Sequence, residues 1–160
     1  MDVGRVTLRA RLSDVDILWH INNGVYLTLA DFGRFDLLIR SGAWDQLSKR
    51  GWYPVMVNAT IAYRKSLKLG QRYVIETRLV GFDAVGVFCE QRFTVDGEIY
   101  ARLFGRSRFL KKAGGIVTVA EMAEALDFDP AGVEVPEWVQ RWAVDGALPS
   151  GREPALSEWA

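Results

Sequence analysis

Apolar residues recur every second position over most of the chain, and with a helical period in one early segment and again near the C-terminal end. Between Arg5 and Leu12, the residues Val6, Leu8, Ala10 and Leu12 alternate with Arg5, Thr7, Arg9 and Arg11, as in a strand with one face on a core and one toward water. From Gly24 to Arg40 the pattern changes. Val25, Tyr26, Leu27, Leu29, Ala30, Phe32, Phe35, Leu37, Leu38 and Ile39 fall on nearly every side of a helical wheel, and only Thr28, Asp31 and Arg34 form a polar stripe. A helix apolar almost all round is expected to be buried and wrapped by other elements. Asn22 or Asn23 suits its N-cap, and Ser41-Gly42 its stop. Asp31, Arg34 and Asp36 interrupt it, which argues against a membrane span.

After a short helical turn over 43–51 and the Trp52-Tyr53-Pro54 corner, period two returns and persists. In the run 55–65, Val55, Val57, Ala59, Ile61 and Tyr63 share one face. In the next, Tyr73, Ile75, Thr77 and Leu79 do the same. Runs over 87–95 and 99–110 flank Asp96-Gly97, a strong two-residue hairpin signal. These four runs read as an antiparallel meander, and with the first strand they make a five-stranded sheet broad enough to wrap one helix. Beyond Gly115, Val119, Met122, Ala123 and Leu126, then 136–143 with Trp138 and Trp142, restore a helical period. The order β, buried α, four β, two short α predicts an α+β fold. The main domain is read as 1–113, with a helical extension and loose tail, 114–160, packed on it.

Composition narrows the function classes. A chain of 160 residues is most simply one domain. Twenty Lys plus Arg balance twenty Asp plus Glu, so no net field favours nucleic acid or an anionic membrane, and low net charge suits self-association. The single cysteine, Cys89, leaves no intramolecular disulfide and no cysteine-based metal cluster, and it shares a strand face with Val87 and Phe93 as a buried thiol would. A reducing compartment fits. No export signal is visible, so the expected location is the cytoplasm.

Chemistry concentrates where the first loop enters the long helix. Asp14 and Asp16, the only histidine His20, and Asn22 and Asn23 precede Gly24, Val25 and Tyr26. The run Asp14-Val15-Asp16, His20-Ile21-Asn22-Asn23 and Tyr26, with Asp31 and Arg34 along the helix, resembles the signature of hotdog-fold acyl-CoA thioesterases of the 4-hydroxybenzoyl-CoA thioesterase type. Val57, Ala59, Ile61, Tyr63, Arg64 and Lys65 followed by Leu69-Gly70 are similar to that family's strand and turn after the helix. The resemblance is nearest to the thioesterase-superfamily-member-6-like branch, which shares the leucine-containing loop and a C-terminal extension like Val135–Trp142.

The resemblance implies a five-stranded sheet wrapped around the helix, dimers or tetramers, and acyl-CoA sites at the dimer interface. It implies hydrolysis of an acyl-CoA to a free acid and coenzyme A, with no cofactor and no metal. Asp16 is then the general base or nucleophile, with His20 and Asn22 beside it. The amides of Asn23, Gly24 and Val25 are the oxyanion donors, because first-turn N–H groups are unpaired and carry the positive end of the helix dipole. Leu18, Trp19, Tyr26, Asp31, Arg64, Lys65 and Lys68 are the substrate-contacting candidates, the last three for phosphates. Each has a plainer reading: Asp31 and Arg34 as an i, i+3 pair, the asparagines as loop braces, and the basic turn as a solvated face. Ile17-Leu18-Trp19 places an apolar wall beside Asp16, which suits a fatty or aromatic acyl group and equally a hotdog protein that binds acyl-CoA or acyl chains without turnover. A third reading is an interaction module docking through Trp138, Trp142 and Trp159.

Overall fold

The computed structural model describes residues 3–149, 151 and 154–157. Its elements are β1 (Gly4–Arg9), α1 (Val25–Arg40), α2 (Ala43–Lys49), β2 (Trp52–Tyr63), β3 (Arg72–Phe82), β4 (Gly86–Val95), β5 (Glu98–Lys111), β6 (Ile116–Val117), α3 (Val119–Leu126) and α4 (Glu137–Asp145). The α+β hotdog arrangement is observed: an antiparallel sheet curls against one long helix. Tyr26, Leu29 and Ala30 of α1 pack with Tyr73, Ile75, Phe93, Ala101 and Leu103 of the sheet. The turn between β4 and β5 forms as its residues demand. Asp96 (φ 49°) and Gly97 (φ 82°) both take the left-handed conformation that matches the twist of the flanking strands.

Strand order corrects the expected meander. The sheet runs β1-β3-β4-β5-β2, so only β3, β4 and β5 are consecutive neighbours, and β6 adds a short sixth strand on β5. The connection from β2 to β3 crosses the end of the sheet instead of turning back as a hairpin. Leu67, fully buried in the core, anchors it there. β1 and β2 are thereby left at the edges of the five-strand path.

Two further departures have local causes. A bulge between Met56 and Asn58 reverses the alternation in β2, so Val57 does not share the inward face of Ala59 and Ile61 and is 43% exposed. Met56, paired with Ser107, and Pro54, paired with Phe109, take the helix-facing side instead. At the other edge, β1 ends at Arg9, and a 3-10 turn over Leu12–Asp14 carries Leu12 out to solvent.

The helix is not wrapped all round. Its inner face approaches the sheet so closely that a Cβ on Gly33 would lie 2.4 Å from Thr77 Oγ1 and 2.8 Å from Gln91 Nε2. Its outer face leaves Phe32 and Ile39 56% and 59% exposed, with Leu27 and Phe35 also exposed. One curled sheet covers one side of a cylinder, and an all-round apolar helix needs a second surface.

The C-terminal segment packs back on the domain. Thr118 and Glu121 form a reciprocal cap that starts α3, the Thr118 hydroxyl accepting from the Glu121 amide (3.2 Å) and the Glu121 carboxylate from the Thr118 amide (2.9 Å). Val119 and Met122 of α3 join Leu47 and Phe109. Val139 and Ala143 of α4 cover Val80, Phe88 and Phe104. Trp138 meets the Phe104 ring edge-on at 4.6 Å, and Trp142 lies against the same cluster. Trp159 lies outside the described residues. Among the described residues no helix is long and apolar enough to cross a membrane.

Candidate active site

The loop between β1 and α1 folds on itself. Val15 pairs with Ile21 as an antiparallel bridge, and the Asp16 amide donates to the His20 carbonyl at 2.9 Å. At the tip, the Trp19 amide donates to the Asp16 carbonyl (3.0 Å), and Trp19 takes φ 60°, a left-handed conformation that bulky residues rarely adopt. The Asp16 carboxylate shapes that turn through Oδ1, which accepts from the Leu18 amide at 2.9 Å. Asp16 is half-buried, beside an open cavity of about 440 Å³ bordered by Leu12, Val15, Ile17 and Trp19. Ile17 and Trp19 border this cavity and Leu18 does not, and all three point largely into solvent, so they form no closed wall over Asp16.

The β2–β3 connection clamps this loop from below. The Ile21 amide donates to the Leu67 carbonyl (2.8 Å), the Leu69 amide to the Trp19 carbonyl (3.1 Å) and the Gly70 amide to the Ala10 carbonyl (2.9 Å). His20 and Lys68 form an isolated backbone bridge here, so the histidine's backbone is fixed against the β2–β3 connection. Buried apolar anchors at Ile21 and Leu67 make the clamp a part of the core. Leu67 and the clamp were missed by sequence reasoning, because a connection has no periodicity to read.

Asn22 ties the loop to the start of α1. Its amide donates to the Asp14 carbonyl at 2.9 Å, its Oδ1 accepts from the Gly24 amide at 2.9 Å, and its carbonyl accepts from the Val25 amide at 2.9 Å. Asn22 therefore occupies two of the three amides expected to serve as oxyanion donors. The Asn23 amide makes no hydrogen bond to another described residue. It sits at the solvent-accessible N-terminus of α1, where the dipole favours negative charge. Tyr63, which strand periodicity placed on the inward face, donates its hydroxyl to the Asn23 carbonyl at 2.7 Å and fixes the peptide unit that follows this amide.

Other candidates are distributed differently from expectation. Tyr26 is 1% exposed, its ring packed edge-on against Tyr63 and Phe93 and its hydroxyl accepting from the Leu67 amide, so it braces the site from within the core and does not reach a ligand. Burial pushes its phenol pKa upward. Arg34 pairs with Asp31 and donates to Gln91 Oε1 (2.6 Å), while Gln91 Nε2 donates to the Ala30 carbonyl (2.7 Å) and Thr77 Oγ1 (3.0 Å). This network pins the middle of α1 to β3 and β4. Arg64 and Lys65 both bond Glu98, at 2.8 Å and 2.7 Å, and those hydrogen bonds hold its carboxyl below the usual range. Lys68 is exposed beside His20. Cys89 lies beneath α1, where burial pushes its thiol up to about 11. Among the described residues no group of three or more His, Cys, Asp or Glu is placed to hold a metal ion.

Known proteins place this architecture. Residues 10–143 match the model of the thioesterase-like superfamily, from before the Asp16 loop through most of α4. The chain is 33% identical over 129 residues to Protein THEM6 of Xenopus laevis, an alignment covering 79% of this chain and 62% of the relative's length. Of solved structures, a probable thioesterase, YbaW, from Escherichia coli superposes with a TM-score of 0.71 at 22% identity, covering 78% of this chain and 96% of that one. The DHNA-CoA thioesterase of Staphylococcus aureus gives 0.69 at 16% identity, covering 93% and 98%. At those identities the two structures establish a shared fold. With the family match spanning most of its length, from the half-buried aspartate loop through the long helix and the sheet, this chain belongs to the thioesterase-like superfamily.

Proposed function

We propose that this chain hydrolyses acyl thioesters of coenzyme A at the junction of the Asp16 loop and α1. One observation carries the reading: Asp16 stands in a loop braced at both ends, and the same loop leads through Asn22 to the exposed first turn of α1. Thioester cleavage needs a base or nucleophile at the carbonyl carbon and donors for the oxygen that becomes negative. With Oδ1 held by the Leu18 amide, Oδ2 of Asp16 is the oxygen presented to water or to the carbonyl carbon. The Asn23 amide, whose neighbouring peptide unit Tyr63 fixes, donates to the developing oxyanion, aided by the helix dipole. Breakdown of the tetrahedral intermediate expels the coenzyme A thiolate, leaving the free acid where water attacked or, where Asp16 itself attacked, an Asp16 anhydride that water then hydrolyses to the acid. Transfer of oxygen from labelled water into Asp16 over repeated turnovers separates the direct nucleophile from the general base. Release of free thiol from acyl-CoAs tests the activity itself, and no release by the folded protein from short, medium, long or aromatic thioesters refutes it.

The working unit we propose is a homodimer. Among the described residues nothing pairs with the outer side of β2, a long edge strand, and α1 leaves Leu27, Phe32, Phe35 and Ile39 exposed. Natural proteins seldom leave such an edge and such a face uncovered. Lys68 remains available for a phosphate, whereas Arg64 and Lys65 would first have to leave Glu98. A second reading, acyl-CoA binding without turnover, is favoured by the outward-facing Ile17, Leu18 and Trp19, which supply apolar contact but no chemistry. Calorimetry showing binding together with an absence of thiol release would select it.

A further inference from the structure

The chain is neutral as a whole, yet its apolar and charged side chains are not spread evenly over the surface. Four large apolar side chains crowd the loop between β1 and α1: Leu12, Ile17, Leu18 and Trp19 are 70%, 94%, 66% and 61% exposed. The backbone holds them there. The Val15–Ile21 bridge closes the base of the loop, the Leu69 amide donates to the Trp19 carbonyl, and Trp19 keeps a left-handed φ of 60° that a bulky residue adopts only at a cost in free energy. A contiguous apolar tip of this kind marks a surface that meets something other than water.

The same end of the sheet carries a basic skirt. Arg9 stands opposite Arg72 in the β1–β3 ladder, like charges directly across the strands, and Arg11 and Lys68 flank the loop, the latter where it is bridged to the β2–β3 connection. All four are exposed, and none makes an ion pair among the described residues. The acids of the loop are turned onto its own groups: the Asp14 carboxylate accepts from the Arg11 amide and the Ser13 hydroxyl, and Asp16 Oδ1 from the Leu18 amide. The exposed apolar face of α1 lacks such a skirt, because Asp31 pairs with Arg34 and Asp36 with Arg40. Apolar side chains with a tryptophan, ringed by free cations, suit the boundary between hydrocarbon and anionic headgroups, where tryptophan concentrates and each Lys or Arg gains from the negative surface potential.

We propose that the Ile17–Trp19 tip inserts into the headgroup region of an anionic phospholipid bilayer, with Arg9, Arg11, Lys68 and Arg72 against the lipid phosphates. A protruding tip needs a matching pocket in a protein partner, whereas a bilayer accepts it without one. Docking in this pose brings the Asp16 cavity, which Ile17 and Trp19 border, to the lipid surface, where amphiphilic thioesters collect. The docking itself does not require that the chain hydrolyse them.

Co-sedimentation of the full chain with vesicles of three parts phosphatidylcholine to one part phosphatidylserine tests this without relying on turnover. Binding is expected, and it should weaken several-fold at high salt and on phosphatidylcholine alone. Ile17→Ser together with Leu18→Ser is expected to weaken it at least about tenfold, because two apolar side chains lose their burial. Lys68→Gln together with Arg72→Gln should cost about twentyfold, near fivefold per charge. Brominated lipid should quench tryptophan emission in the parent and lose that effect in Trp19→Phe. The two double variants alter different side chains, and melting temperature checks each, so a folding defect in one leaves the other informative. No binding by the folded parent overturns the proposal and leaves the thioester site standing, as does undiminished binding by either folded double variant, which would assign the lipid contact to another face such as the outer side of α1. Oligomers that form without lipid and dissolve in Ile17→Ser with Leu18→Ser, in a parent that ignores vesicles, would give the tip to a second copy of the chain and overturn it as well.

Discussion

Replacing Gly33 by alanine tests the packing that positions the whole site. In an open helix the change stabilises by about 1 kcal/mol, because alanine loses less conformational freedom. Here the new methyl would stand 2.4 Å from Thr77 Oγ1, 2.8 Å from Gln91 Nε2 and 3.0 Å from Ile75 Cγ2. Thr77, Gln91 and Ile75 are 1%, 0% and 0% exposed, so none can swing into solvent. Overpacking of this kind costs about 1–3 kcal/mol. Moving the Gln91 amide also weakens its bonds to the Ala30 carbonyl and Thr77, and a buried amide left unpaired costs about 1–3 kcal/mol. Set against the helical gain, the net expectation is a loss of about 1–5 kcal/mol, or a Tm lower by about 2–20 °C for a domain of this size. Chemical denaturation of parent and variant measures it. Adding Thr77→Ala removes the nearest atom and should recover about 1 kcal/mol of the loss in a double-mutant cycle. A Gly33→Ala protein as stable as the parent would refute the close approach of α1 to the sheet.

Other predictions concern the loop, the sheet and the buried thiol. Trp19→Asn keeps a residue tolerant of the left-handed conformation at φ 60° and removes a side chain that is 61% exposed, so stability should rise by about 0.5–1 kcal/mol in thermal melts; a loss of that size would contradict strain at the tip. Glu90 is 2% exposed, and although burial pushes its carboxyl upward, hydrogen bonds from Arg92 and Arg78 outweigh it and bring the pKa below the usual range. A depressed folded-state value means stability that is present above about pH 4.5 and lost as the pH falls through the lower folded value. Glu90→Gln should therefore flatten the acid limb of the stability profile and leave Arg78 and Arg92 without their anion at neutral pH. Cys89, whose thiol is pushed up to about 11 by burial, should resist iodoacetamide at pH 8 in the folded protein and react at once in denaturant. Its neutral form contributes stability below about pH 9 that is lost as the pH rises toward 11, so a base limb absent from Cys89→Ala is expected.

Much of this architecture is legible in the residues because its signals are local. Alternation located the β3, β4 and β5 runs, Asp96-Gly97 fixed their hairpin, and the Asp16-to-Asn23 loop ahead of an apolar helix put the candidate chemistry in one place. What escaped depends on partners distant in sequence. Nothing local to β2 says that it pairs with β5, and the bulge at Val57 breaks the alternation from which its inward face was read. An apolar wheel shows that α1 needs cover on all sides but not how much of it one sheet supplies, which is why Phe32 and Ile39 proved exposed. The same limit applies at the site. Tyr26 lies on the buried face because of where the sheet stands, and the Gly24 and Val25 amides are taken by Asn22 through a turn whose geometry the spacing does not encode. Asp31 and Arg34 pair as their i, i+3 spacing suggests, yet the Gln91 contact that holds Arg34 comes from β4.

The role of Asp16 is the central claim, and the turnover number of Asp16→Asn beside the parent tests it most directly. The two side chains are nearly isosteric, and Asn Oδ1 can keep the hydrogen bond from the Leu18 amide, so the loop should hold its shape. With thiol release from the acyl-CoA that the parent cleaves fastest as the assay, and melting temperature as the check on folding, the account predicts a fall in kcat of at least about a hundredfold, in the range general-base catalysis supplies. Equal turnover by the two proteins would contradict it and move the chemistry away from this loop.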